Sequence, residues 1–228
     1  PASSSVGRGH VPHRIPRRDG YGPHLGDCVK KMRRLVLWLA AFCFGAGISW
    51  SLWDGWVDRT DLPSTLTETS VEMQDREGNL MRAFAVENGR IRLAIAPGSV
   101  DSTLTDMLIA YEDKRFYRHN GVDGWAILRS FAQAAFHGRV VSGGSTLTMQ
   151  TARLLENSGT GSLRGKLRQM RLAWALERSL TKSEILHLYL QHAPYGGRFE
   201  GVRSATHVWF GKEPSRLSPS EAALLVAL

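Results

Sequence analysis

The sequence predicts a mainly helical protein: one apolar helix near the start, a short β-hairpin, then a series of amphipathic helices. Three observations predict it. Residues 35–53 contain no charged side chain. Beyond Asp101, apolar residues recur at helical spacing, as in Leu104, Met107, Leu108 and Tyr111 at i, i+3, i+4 and i+7. Capping signals then punctuate the chain: Ser162, the box Thr181-Lys182-Ser183-Glu184, and the box Ser218-Pro219-Ser220-Glu221 with Pro at the first helical position.

The 228 residues hold one medium domain with small attachments. The net charge of +8 is concentrated in residues 1–34, where eight cations face only Asp19 and Asp27. The rest of the chain is close to balanced. Basic residues ahead of an apolar run are a membrane-topology signal, so no nucleic-acid partner is expected. The two cysteines, Cys28 and Cys43, lie in the tail and the apolar run, which leaves the later chain without a disulfide framework.

Residues 1–31, rich in Pro, Gly, Ser and Arg, read as disordered, so that residues 1–34 form a basic cytoplasmic tail. Met32-Arg33-Arg34 has the form of a natural start, and the residues before it are expected to be an upstream extension. The ~19 uncharged residues 35–53, at ~1.5 Å each, span ~28 Å, about one bilayer core. Ser49-Trp50-Ser51-Leu52-Trp53 makes a poor cleavage site, and Trp50, Trp53 and Trp56 suggest an interfacial belt. The expectation is an uncleaved single-pass anchor, with the tail in the cytoplasm and everything after Asp54 outside.

Residues 54–100 are expected to act as a spacer. Residues 71–73 and 80–84 flank Asp75-Arg76-Glu77-Gly78-Asn79 as a hairpin, residues 91–95 offer a further strand, and Pro97-Gly98 closes the segment. The functional domain is placed at 101–228. In it, Trp125, Leu128, Phe131, Ala132, Ala135 and Phe136 mark a helix apolar over so wide an arc that it is either core or lipid-facing. Leu147, Thr151, Leu154 and Leu155 give the next helix its buried face, and residues 157–161 break it. The stripe Leu163, Leu167, Met170 and Trp174 is the expected inner face of the helix after Ser162. Ile185, Leu186 and Tyr189 serve the one after that. The last helix runs to Leu228 without a stop signal, so more protein is expected to follow.

Two stretches carry chemistry. Glu112 and Asp113 end a helix and are followed by Lys114, Arg115, Arg118 and His119 before Gly121. A carboxylate at a helix C-terminus meets the negative end of the dipole and holds its proton more readily, which suits a general base. A solvated helix end with surface ion pairs is the plainer reading. The second stretch, Val141-Ser142-Gly143-Gly144-Ser145-Thr146, is a Gly loop opening a helix, whose free N–H groups favour an anion such as a phosphate. Ser145, Thr146 and Gln150 add neutral hydrogen-bonding groups, and the ending of a Walker loop is missing. Cations follow at Arg153, Arg164, Lys166, Arg168 and Arg171. Of these, Arg164, Arg168 and Arg171 share a helix face that is either solvated or a cradle for a multiply charged anion. Ser179-Leu180-Thr181-Lys182 matches the Ser-x-x-Lys nucleophile signature. Thr181 is better explained as a cap, however, and no Ser-Asp-Asn or Lys-Thr-Gly element follows.

Taken together, these stretches resemble the peptidoglycan glycosyltransferase (transglycosylase) domain of bifunctional penicillin-binding proteins. Glu112-Asp113-x-x-Phe116-x-x-His119-x-Gly121 resembles the first family motif and Gly144-Ser145-Thr146-Leu147-Thr148-Met149-Gln150 the second. Lys166 and the helix to Glu177 occupy the third, residues 185–191 match the fourth, and Gly201 through Phe210-Gly211-Lys212 the fifth. The Thr-Leu-Thr-Met-Gln wording and the Ala193-Pro194-Tyr195-Gly196-Gly197 turn are most similar to the penicillin-binding protein 1C type. The third motif usually reads Arg-Lys-x-x-Glu; here it is Gly165-Lys166-Leu167-Arg168-Gln169, and Gln191 replaces the Asn that usually closes the fourth.

The resemblance implies a lysozyme-like helical head with a membrane-associated jaw around residues 125–136, and a transpeptidase domain further on. It implies an enzyme of the bacterial inner membrane, with its catalytic domain periplasmic, acting on lipid II and a growing glycan strand. Glu112 would be the general base. Asp113, Phe116, His119, Ser145, Thr146, Gln150, Arg153 and Lys166 would bind substrate or order the site. No cofactor is required and no protein-held metal is expected, with a divalent cation (Mg or Mn) left open as a bridge on the pyrophosphate. Other cell-wall synthesis proteins are conceivable partners. A glycan-strand hydrolase with a similar head, or a non-catalytic cell-wall scaffold, are the alternatives.

Overall fold

The computed structural model describes residues 25–65, 67–137, 143–156 and 162–228. The disordered reading of residues 1–24, the Val141-Ser142 start of the Gly loop and the break at 157–161 lie outside the described residues. The described residues fall into two compact units that divide between Leu52 and Trp53.

In the first unit, helix α1 (Leu25–Asp58) starts earlier than expected, because the basic residues before Met32 continue the helix. It is long and apolar enough to cross a membrane. Its side chains from 30 to 52 are all exposed, leaving the apolar surface unpartnered by protein.

In the second unit, the end of α1 packs on a later helix, α5 (Leu163–Ser179). The Trp53 ring meets Trp174 edge-on with centroids 5.0 Å apart. The Arg171 guanidinium stacks 4.2 Å from the Trp56 ring and donates to the Trp56 carbonyl at 3.0 Å. Arg178 pairs with Asp54 and Asp58. Val57 is buried.

Strands β1 (Glu72–Gln74) and β2 (Leu80–Ala83) form the expected antiparallel hairpin. The Asp75 carboxylate organises its turn by accepting from the N–H groups of Glu77 and Asn79. Strand β3 (Ile91–Arg92) pairs in parallel with β4 (Phe199–Glu200), and the buried Arg92 guanidinium is ion-paired with Glu200. Residues 91–95 are thereby built into the helical body, with Leu93 and Ile95 buried. Side chains satisfy much of their backbone. Ser70 Oγ accepts from Arg92 N–H, Ser204 Oγ accepts from Leu93 N–H, and the Gln191 amide spans Ile95 N–H (2.9 Å) and Leu93 C=O (2.7 Å).

The remaining elements are helices: α2 (Ser102–Glu112), α3 (Gly124–His137), α4 (Leu147–Leu155), α5, α6 (Lys182–His192), α7 (Val202–Phe210) and α8 (Pro219–Ala227). The fold is mainly α, as the periodicity predicts. Ser162 caps α5, and both predicted capping boxes form, at Thr181 with Glu184 and at Ser218 with Glu221. The main core gathers Leu104, Leu108, Phe116, Leu147, Ile185, Val202 and Ala222.

Two expected stripes need correcting. On α5, Leu163 and Leu167 are exposed, and the buried face is Gln169, Leu172, Ala173, Ala175 and Leu176. Close approach decides this. A Cβ on Gly121 would lie 2.7 Å from the Ala173 carbonyl, so the α5 backbone approaches the Gly121 turn closely at Ala173. On α2, Tyr111 does not join Leu104 and Leu108 in the core but stands exposed at the helix end.

Candidate active site

Glu112 is the last residue of α2, with Asp113 as its C-cap. Asp113 is buried and fully engaged. Its carboxylate bonds His119 Nε2 at 2.9 and 3.1 Å and accepts from Leu147 N–H at 3.0 Å. The start of α4 is therefore not the open anion cradle that the Gly loop suggested, since the anion at that N-terminus is the chain's own Asp113. Thr146 completes the closure: its hydroxyl donates to the Gly121 carbonyl and accepts from Met149 N–H. Gly121, at φ 88°, lets the chain turn beneath.

With α4 locked to the Asp113 turn, Gln150 one turn further on points back to α2. Its amide donates to Glu112 Oε2 at 2.7 Å. Glu112 is thus half-buried, fixed at one oxygen, and opens onto a cleft of about 680 Å³, within the usual range for ligand sites. The cleft is lined by Tyr111, Glu112, Asp113, Lys114, Arg115, Asp123, Ala126, Arg129, Gln133, Gly143, Ser145, Thr146, Gln150 and Arg153. Lys166 reaches the cleft wall by donating to Ser145 Oγ. Its ammonium is held below the usual lysine range by burial and by neighbouring Arg153. A phosphate bound beside these two cations would offset the repulsion between them. Tyr189 sits behind the same group; burial, then the charge of Glu112, push its phenol up to about 12, with Arg153 opposing.

Of the residues the sequence singled out, the structure brings Glu112, Asp113, Ser145, Thr146, Gln150 and Arg153 to one cleft, with Lys166 adjoining. It does not bring Phe116 or His119 there. Phe116 is wholly buried and His119 nearly so, because both form the underside of the Asp113 turn and neither can touch a substrate in this arrangement. Arg164, Arg168 and Arg171 do not act as one cradle either. Arg168 pairs with Glu156 at 3.0 Å, Arg171 is stacked on Trp56, and Arg164 is exposed. Sequence reasoning missed Arg129 and Gln133, which α3 contributes; the apolar periodicity of α3 drew attention to its other face. It also set Lys182 aside as part of a false signature.

Residues 77–228 match the family model described as Transglycosylase. The chain is 42% identical over 153 residues to penicillin-binding protein 1C of Escherichia coli (strain K12), covering 67% of this chain and 20% of that protein. It is 32% identical over 200 residues to penicillin-binding protein 1A of the same organism, covering 85% and 23%. Against penicillin-binding protein 1A of Aquifex aeolicus (strain VF5) it is 34% identical over 157 residues, covering 69% and 21%. The chain thus spans about a fifth of the length of the curated relatives it matches. The matched region takes in the end of α2, the α4 start and the α5 lysine that together make the cleft, and the chain belongs to the transglycosylase family.

Proposed function

We propose that this chain is the glycosyltransferase part of a membrane-anchored penicillin-binding protein, and that it polymerises lipid II into β-1,4-linked peptidoglycan strands. The observation that carries this reading is Glu112, held by Gln150 on the wall of a cleft that is otherwise rich in cations. Asp113 is engaged by His119 and Leu147 N–H, and Asp123 pairs with Arg115. Glu112 is therefore the cleft carboxylate held by a neutral amide, beside Lys114, Arg129 and Arg153. That suits a reaction that takes one proton and releases a polyanion.

In that reaction the acceptor's sugar 4-hydroxyl attacks the anomeric carbon of the donor strand. Its proton passes to Glu112, the bond from that carbon to the phosphate oxygen breaks with inversion, and the lipid pyrophosphate leaves with the electron pair. Lys166 and Arg153 stabilise the charge growing on the pyrophosphate more than the ground state, which is what accelerates the step. Ser145, held by Lys166, lines the donor side. Among the described residues no three His, Cys, Asp or Glu side chains gather as a ligand set. A Mg or Mn ion taking part would arrive on the substrate's pyrophosphate. The anchor α1 keeps the enzyme at the membrane that holds its lipid substrate, with the basic tail cytoplasmic and the cleft on the periplasmic side of the inner membrane.

The test is polymerisation of purified lipid II in detergent by the natural full-length enzyme, beside Glu112→Gln. Losing a general base costs ~10²–10⁴-fold. Strand growth lost in the variant supports the reading; more than half the rate retained removes Glu112 from its role. Shortening of finished glycan without growth would make the protein a hydrolase, and binding without turnover a scaffold.

A further inference from the structure

Lys182, first residue of α6, has no place in the mechanism above, and its Ser-x-x-Lys context is not a nucleophile site. Its ammonium nevertheless sits at a junction. It donates to the His119 carbonyl at 2.7 Å and to Glu177 Oε1 at 2.6 Å, and lies 4.5 Å from the centre of the Phe116 ring. Glu177 Oε1 also accepts from Thr148 Oγ1 at 2.6 Å. The Lys182 side chain is one-fifth exposed and that of Glu177 less than a tenth.

These contacts converge on Glu112 by two separate routes. Through the His119 carbonyl and the Phe116 ring, Lys182 holds the turn whose His119 bonds the Asp113 carboxylate, next in chain to Glu112. Through Glu177 and Thr148 it holds α4, whose Gln150 bonds the Glu112 carboxylate. The backbone of Glu112 and the partner of its side chain are thus referred to one ammonium on a third helix. We infer that Lys182 is a positioning residue for Glu112, fixing the α2 end and α4 in mutual register; this rests on the general-base reading of Glu112. Simple fold stabilisation would need only one of the two routes. An off-centre base is costly, because a misplacement of about 1 Å can slow a reaction about 10²-fold.

The experiment measures kcat and KM for lipid II polymerisation by the full-length enzyme, comparing Lys182→Met, Thr148→Val, Glu112→Gln and the Lys182→Met/Glu112→Gln double variant. Thr148→Val cuts one route with almost no change of shape and stands in should Lys182→Met not fold. Lys182→Met is expected to lower kcat about 10–100-fold with KM within about twofold, and Thr148→Val to lower it less. In the Glu112→Gln background, Lys182→Met should cost nothing further, since there is no base left to position. Wild-type kcat in both single variants, a loss confined to KM, or an undiminished loss in the Glu112→Gln background would each overturn the inference. In all three cases wild-type growth with an inactive Glu112→Gln leaves the function standing; growth unaffected by Glu112→Gln brings down both.

Discussion

Gln191 stands where the resemblance leads one to expect Asn, and the structure allows the consequence to be worked out. Its amide is buried and bonds two backbone groups of the 93–95 segment, Ile95 N–H and Leu93 C=O. Truncation in Gln191→Ala leaves both groups buried and unpartnered. At ~1–3 kcal/mol for each, the loss is about 2–6 kcal/mol. Gln191→Asn, which restores the family's usual residue, shortens the side chain by one carbon–carbon bond, about 1.5 Å. Contacts of 2.7 and 2.9 Å to two groups of the same segment cannot both survive that retreat. One lost bond costs about 1–3 kcal/mol, or a melting shift of roughly 2–12 °C at ~2–4 °C per kcal/mol for a domain of this size. The assay is thermal unfolding of the detergent-solubilised chain followed by tryptophan fluorescence, with Ser204→Ala as a one-bond reference on the same segment. An Asn variant that melts within about 1 °C of the parent would refute the reasoning and show that the segment finds other partners.

Burial, then the charge of Arg92, hold His192 down at about 4 against an ordinary 6.5. The fold therefore keeps this imidazole neutral, with its stability fully present above pH 6.5 and declining as pH falls toward 4. Glu221, brought down to about 2 chiefly by Lys212 and then by Ser218 N–H, extends the decline below pH 4.5. Melting temperature should fall across both windows, and His192→Gln should flatten only the upper one. Gly121→Ala combines a left-handed φ of 88° with a 2.7 Å approach to the Ala173 carbonyl. It should cost well over ~1 kcal/mol and disturb the turn beneath Glu112, so that a melting curve and polymerisation both report the damage. Lys166→Met removes the ammonium that Arg153 crowds, and should lower kcat about 10²–10³-fold in the lipid II assay, by analogy with the loss of one transition-state donor.

The sequence made legible what is local. Helix periods, the two capping boxes and the Asp75 turn each depend on residues within a few positions, and they appear where the pattern puts them. Glu112 was legible for the same reason, being the end of a visible apolar stripe. What escaped depends on distant partners. Nothing near Ile91 announces a parallel strand at Phe199–Glu200, and nothing near Lys182 announces the His119 carbonyl. On α5 both candidate faces carry two leucines, and the contact that turns Ala173 inward, its close approach to Gly121, lies on another segment.

Two of the departures from the family motifs, at 169 and 191, take on a physical sense once their surroundings are known. Gln191 is long enough to span two backbone groups that would otherwise be orphaned. Gln169 points into the protein and is buried. An ionised Glu in such a place needs a cation to offset its lost hydration, and the nearby Arg168 is turned outward to Glu156. A neutral amide avoids that requirement. It also means that no charge at position 169 shares the electrostatic work of the cleft. On the proposed mechanism the proton is then left to Glu112, and the growing negative charge to Lys166 and Arg153. The rate on that mechanism would depend on the precision with which Gln150, Asp113 and Lys182 hold Glu112.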